Sequence, residues 1–127
     1  ALSAAWYAQM RRPWEEILAS QSPAVDVSDF VSNDSEFHLE LAKASENQNF
    51  VRIIADIGER LRFVKLSVEV TPERLTTNAK EHLAILDAIE QKDSAAVRER
   101  IRNNIEHTGN RVETAISRAL FAAYSKT

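Results

Sequence analysis

The chain has 127 residues and no cysteine, and its 16 lysine and arginine residues are outnumbered by 19 aspartate and glutamate residues. This length suits one domain with its own core, the lack of cysteine excludes disulfides and thiolate metal sites, and the net charge of −3 argues against a DNA-binding surface. We find no membrane-spanning run and no signal-peptide pattern. We therefore expect a single domain, residues 1–127.

The composition favours helices, because two glycines and three prolines leave few turn signals in a chain rich in strong helix formers. Trp6, Met10 and Trp14 recur at helical spacing in the first segment, where Pro13 is expected to kink or restart the helix. The polar stretch at residues 20–29 then reads as a connector.

A second helix is predicted from a cap at Ser32 or Asn33 to about Ser45, and the segment ENQN then breaks and recaps the chain. The third helix is long and amphipathic, so its apolar stripe should face a partner element. That stripe comprises Phe50, Ile53, Ile57, Leu61, Val64 and Val68.

Thr71 followed by Pro72 is the pattern of a cap and a first-turn proline, which predicts the start of a fourth helix. The segment QKDS ends this helix, and Asp93 or Ser94 is placed to cap a last, long helix. The sequence thus predicts an all-α fold, an antiparallel bundle of five or six helices with short links.

The three histidines suggest a metal site. Asp34 and His38, four residues apart, point to one face of the second helix, and His82 lies within the apolar arc of the fourth. His107 lies to the side of the last helix's stripe, where a central helix can still bury it. Three imidazoles and one carboxylate would suit Zn²⁺, Ni²⁺, Fe²⁺ or Mn²⁺ and leave positions open for a ligand.

Two ordinary explanations stay open at this point. An inward histidine is commonly a hydrogen-bonded core residue, and an aspartate–histidine pair at this spacing is commonly a helix-surface contact.

Three segments form a series: NDSEFHLELAKASENQNF, NAKEHLAILDAIEQKDSAAV and IRNNIEHTGNRV. They carry, in order, Asp34 with His38, Glu81 with His82, and His107. Their order and gaps over residues 33–112 resemble the FCD domain, the effector-binding domain of GntR-family transcription regulators. Thr108 departs from the family pattern, which more often has an aliphatic residue after the last histidine.

The resemblance implies a helical bundle enclosing a cavity, with Asp34, His38, His82 and His107 holding a divalent metal at its floor. It also implies a small organic acid as effector, a homodimer, and no enzymatic activity. DNA would be bound only through an amino-terminal winged helix-turn-helix domain. We expect this chain to lack that domain and also the first helix of the effector domain.

A carboxylate effector would benefit from a guanidinium group, and Arg60 lies on the shoulder of the third helix's apolar face. Asn78 and Asn104, one turn before His82 and His107, are candidate hydrogen-bonding groups in the cavity. For these three side chains, a solvated helix flank is the alternative.

Two other functions stay open. A helical-bundle metalloenzyme could use the same ligands to activate water or dioxygen, although no additional acid or base stands out in the sequence. A purely structural interaction bundle would bind no metal.

Overall fold

The computed structural model describes residues 2–20, 26–66 and 70–125. These residues form an all-α bundle of five helices: α1 Ala4–Ala19, α2 Val27–Ala44, α3 Gln48–Leu66, α4 Pro72–Glu90 and α5 Ser94–Ser125. The predicted fold class is therefore confirmed. Among these helices, none combines the length and apolar composition needed to cross a membrane.

The start of α2 differs from the prediction. Asp26 caps this helix by accepting a hydrogen bond from the Asp29 amide at 3.1 Å, whereas Ser32 and Asn33 lie inside the helix on its exposed side. The helix starts earlier because Val31, in its second turn, is buried in the core. The polar residues at 32 and 33 mark the outer face of a helix and not its beginning.

The other predicted caps are in place. The Thr71 hydroxyl accepts from the Arg74 amide at 3.2 Å, and the Asp93 carboxylate accepts from the Ala96 amide at 3.1 Å. Asn47, in the predicted break, accepts from two amides at the start of α3. Each cap satisfies an amide that has no partner within its helix.

Pro13 lies inside α1, which runs unbroken from Ala4 to Ala19, so the helix does not restart there. The proline removes one amide donor, yet the turn before it still contributes Met10 and the turn after it Trp14 to the core.

The helices pack as antiparallel neighbours. The α2–α3 and α4–α5 pairs are joined by short links and lie against each other, and α1 packs along α4. Arg11 of α1 bonds to Asp87 and Glu90 of α4, while Trp14, further along α1, contacts His82, earlier in α4. The two helices therefore run in opposite directions.

The core lies between α1, α2 and α4. Its buried members are Met10, Trp14, Phe37, Ala79, Ile85 and Leu86. Because Trp14 and Phe37 meet edge to face with ring centroids 5.8 Å apart, they join α1 to α2 on one side of α4.

The predicted orientation of α3 is wrong for most of its stripe, since Phe50, Ile53, Ile57 and Leu61 are exposed. The helix packs mainly on α2 and touches α5, which leaves it at the edge of the bundle. Ile57 is exposed because the groove that it lines with Ile54 and Gly58, shared with α2, is open.

Candidate metal centre

Asp34, His38 and His82 meet inside the bundle. One ligand atom from each lies within 4.8 Å of the others, with Asp34 Oδ1 3.1 Å from His82 Nε2 and 3.7 Å from His38 Nε2. The first two residues are four apart on α2, so one helical turn stacks them, and α4 supplies the third.

His82 is held in place by aromatic rings. Its imidazole stacks on Phe37 with ring centroids 4.0 Å apart, and it meets Trp14 edge to face at 4.2 Å. The side chain is fully buried. The core packing that joins α1, α2 and α4 therefore also fixes the position of this imidazole.

His82 Nδ1 is buried and has no hydrogen-bond partner among the described residues. Nε2 faces Asp34 Oδ1 at 3.1 Å, a contact that lowers the pKa of the aspartate. Buried polar atoms are nearly always hydrogen-bonded, so a buried imidazole nitrogen without a partner needs an explanation. Two imidazoles and a carboxylate form the donor set of many divalent transition-metal sites, and these residues fit such an ion.

The charges of the ligands also suit a cation. Burial acts to raise the pKa of Asp34, but contacts with His82, His38 and Lys65 outweigh it and lower this pKa to about 2. Burial lowers the pKa of His38, although Asp34 acts against this effect. At neutral pH, Asp34 is thus an anion and His38 favours its neutral form, the states in which both groups bind metals.

Two cavities adjoin this cluster. A groove of about 410 Å³ between α2 and α3 has His38 and Lys65 in its lining, and its volume falls in the range of small-molecule pockets. A much smaller cavity of about 30 Å³ lies beside Asp34, where Lys65 and Arg111 also contribute to the wall. Lys65 thus lines both cavities.

The family model of the FCD domain matches residues 2–107, which is most of the chain. The chain belongs to the FCD domain family. FCD domains are the ligand-sensing domains of GntR-family regulators and are not enzymes. Comparisons with curated proteins and with solved structures found no match.

In this FCD domain, His107 does not join the other three predicted ligands. Its side chain is 53% exposed, and Nδ1 lies 2.7 Å from Glu81 Oε2. The helical phase of α5 explains the difference, because the inward residue of this turn is the buried Asn104. His107 follows three residues later, on the flank that faces Glu81.

Asn78 and Asn104 are both buried, so neither lies on a solvated helix flank, and their role as cavity groups stays a prediction. Asn104 Nδ2 donates to Asn78 Oδ1 at 3.4 Å, and the Asn104 amide also acts on the pKa of His38. Asn78 Nδ2 and Asn104 Oδ1 have no hydrogen-bond partner among the described residues. Both amides therefore keep capacity for a ligand or a water molecule.

Arg60 is not brought to the site. Its side chain is 78% exposed and pairs with Asp56 at 3.1 Å on the outer face of α3. Arg60 lies two residues after Gly58, which lines the groove, and is therefore turned well away from the α2-facing side of the helix.

Sequence reasoning missed Lys65 and Arg111, the two cations that line the cavity beside Asp34. A signal was present for Arg111, which follows the candidate cavity residue Asn104 by seven residues and so lies two turns along the same face of α5. Lys65 had no such signal, because the predicted inward stripe of α3 lies on another face.

Proposed function

We propose that this FCD domain senses a small organic acid, which binds at a divalent metal held by Asp34, His38 and His82. The observation that supports this function is the buried cluster itself: three side chains that could bind a metal converge, and one of them, His82, has a buried Nδ1 without a partner among the described residues. In the intact regulator, effector binding would control a separate winged helix-turn-helix domain, and we expect a cytoplasmic homodimer.

Zn²⁺, Ni²⁺, Fe²⁺ and Mn²⁺ are the ions that suit this donor set. When bound, such an ion supplies a Lewis-acidic docking point for a carboxylate. Asp34 offers an anionic oxygen, and the two imidazoles offer nitrogens. We assign Asn104 to hydrogen bonding around the bound acid, because its amide is buried and acts on His38, and we assign Asn78 to the same role through its contact with Asn104.

The groove between α2 and α3 is the proposed entry and binding space for the effector. His38 and Lys65 provide polar groups at its wall, while Leu39 and Ile54 provide apolar surface for a carbon chain. Arg62 donates to the Ser32 hydroxyl at 3.4 Å across the same groove. A volume of about 410 Å³ has room for a small organic acid.

The position of the site explains how binding could reach the rest of the molecule. The groove contacts α2 and α3, whereas His82 belongs to α4 and packs on Trp14 of α1. A ligand that binds better to one arrangement of these helices shifts the population toward that arrangement. Contacts to several helices give the acid the differential affinity that such a shift requires.

Metal content is the direct test. The purified protein and the variants His38→Ala, His82→Ala and His107→Ala are reconstituted, dialysed and analysed for bound metal, and their melting temperatures are then recorded with a panel of organic acids. We expect about one equivalent of metal in the parent and in His107→Ala, and a loss in the other two variants. Stabilisation by an acid should require the bound metal.

His107→Ala is the matched control, because it removes a histidine that lies outside the cluster. If the parent takes up no metal, or if all three variants keep it, the proposed site is wrong. If the metal-loaded protein consumes the acid instead of binding it, the domain is a metalloenzyme and not a sensor.

A further inference from the structure

Two basic side chains from different helices flank Asp34. Lys65 Nζ of α3 lies 3.8 Å from Asp34 Oδ2, and the lysine side chain is 17% exposed. Arg111 of α5 lines the same small cavity as Asp34 and Lys65. This cavity of about 30 Å³ has room for one carboxylate group or water molecule.

Arg111 is in an unfavourable environment for a cation. Burial lowers its pKa, and the nearby Arg74 lowers it further, while Glu81 and Asp34 act in the opposite direction from a distance. Among the residues that the structure describes, Arg111 forms no ion pair or hydrogen bond. A partly buried guanidinium normally has an anionic or hydrogen-bonding partner, so this side chain has capacity for one.

A metal ion at Asp34 would increase the excess of positive charge around this carboxylate. Asp34 balances the single charge of Lys65 in the metal-free protein. A divalent ion, Lys65 and Arg111 together face this one carboxylate, which leaves a formal excess of three positive charges. Glu81 and Arg74 also act on Arg111, but their charges are opposite and cancel. A monocarboxylate would leave two of the excess charges uncompensated, and a dicarboxylate would leave one.

We infer, on the basis of the function proposed above, that Lys65 and Arg111 form an anion subsite next to the metal and that the effector is a short dicarboxylate. One carboxylate docks at the metal, and the other is bound between the ammonium and guanidinium groups. Lys65 lines both the groove and the small cavity, so the two carboxylates lie close together. This proximity favours acids of the size of malonate or succinate over long-chain diacids.

A simple ion pair with Asp34 would account for Lys65 alone, but it leaves Arg111 without a role. The two explanations make different predictions for Arg111→Gln. An anion subsite requires that this change weaken dicarboxylates more than monocarboxylates, whereas a purely structural role affects both equally or not at all.

The test is isothermal titration calorimetry on metal-loaded protein with malonate, succinate, acetate, propionate and inorganic phosphate. The variants are Arg111→Gln and Lys65→Gln, and Arg60→Gln serves as a matched control because Arg60 is an exposed α3 cation paired with Asp56. We expect the parent to bind a dicarboxylate about tenfold or more tightly than the monocarboxylates, as one charge-assisted hydrogen bond would give. Each subsite variant should remove most of this preference, and Arg60→Gln should keep it.

Metal content and circular dichroism of each variant establish that the fold and the metal are retained. Equal binding of acetate and succinate by the metal-loaded parent would overturn the dicarboxylate subsite but leave the proposed function standing. A parent preference that survives Arg111→Gln would also overturn it, as would phosphate binding more tightly than either diacid. If the parent binds neither metal nor acid, the proposed function fails as well.

Discussion

Replacing Asp34 with asparagine in the metal-free protein should change how its stability depends on pH. Asp34 is buried, and its carboxylate lies close to His82, His38 and Lys65. These neighbours outweigh burial and lower its pKa from 3.8 to about 2. The asparagine side chain would keep nearly the same shape but would have no charge to titrate.

The folded protein holds Asp34 ionised at a pH where the unfolded chain already binds a proton. The resulting stabilisation is complete well above pH 3.8 and is lost as the pH falls toward 2. A shift of this size corresponds to about 2 kcal/mol of unfolding free energy, of which roughly half is lost by pH 3. Asp34→Asn should lack this component at every pH.

Urea denaturation of both proteins in chelator-treated buffer between pH 3 and pH 6 measures the effect. The unfolding free energy of the parent should fall by about 1 kcal/mol more than that of Asp34→Asn over this range. Carboxylates far from Asp34 titrate alike in both proteins and cancel in the comparison, and making both measurements in a His38→Ala background removes the change in His38 titration that the loss of Asp34 would cause. Identical pH dependences would refute the assignment of Asp34 as a buried, ionised carboxylate.

Two further changes test the packing of the bundle by urea denaturation. Arg11→Ala should lower the unfolding free energy by up to about 1 kcal/mol, because Arg11 is partly buried and bonds to both Asp87 and Glu90. Arg12→Ala, on the exposed side of the same helix, should have little effect, and equal effects would argue against this α1–α4 contact. Gly109→Ala should raise the unfolding free energy by about 0.5–1 kcal/mol, because Gly109 lies in mid-helix and an added Cβ meets nothing within 4 Å. Destabilisation by this change would mean that α5 is not a regular helix there.

The architecture was predictable because its signals are local. Thr71 and Asp93 cap their helices as the sequence indicates, since a cap is a contact with an amide three residues away. The start of α2 was not predictable, because Ser32 and Asn33 are residue types that commonly cap helices but here face solvent within a helix. Whether such a residue begins a helix depends on whether the preceding turn is buried, as Val31 requires here.

The sequence predicted only those parts of the site that follow from the position of a residue around its helix. Asp34 and His38 are one turn apart, and His82 lies in an apolar arc, so all three could be placed inward before the neighbours of each helix were known. His107 and Arg60 lie on flanks, and their surroundings depend on which helix packs beside them. Glu81 binds the first and Asp56 the second, and neither contact follows from an inward-facing pattern.

The placement of His82 links folding to binding in this domain. A fully buried side chain at the centre of a helical core would stabilise the fold most if it were apolar, yet this position holds an imidazole that faces a carboxylate with Nε2 and leaves Nδ1 without a partner among the described residues. Phe37 and Trp14 pack directly on the ring, so α1, α2 and α4 all contact the same group. An ion bound by one ring nitrogen of His82 would therefore offset part of the free-energy cost of burying this imidazole, a cost shared by these three helices. For this reason we expect the metal-bound domain to be the more stable one, and its helix packing to respond to whatever completes the coordination of the ion.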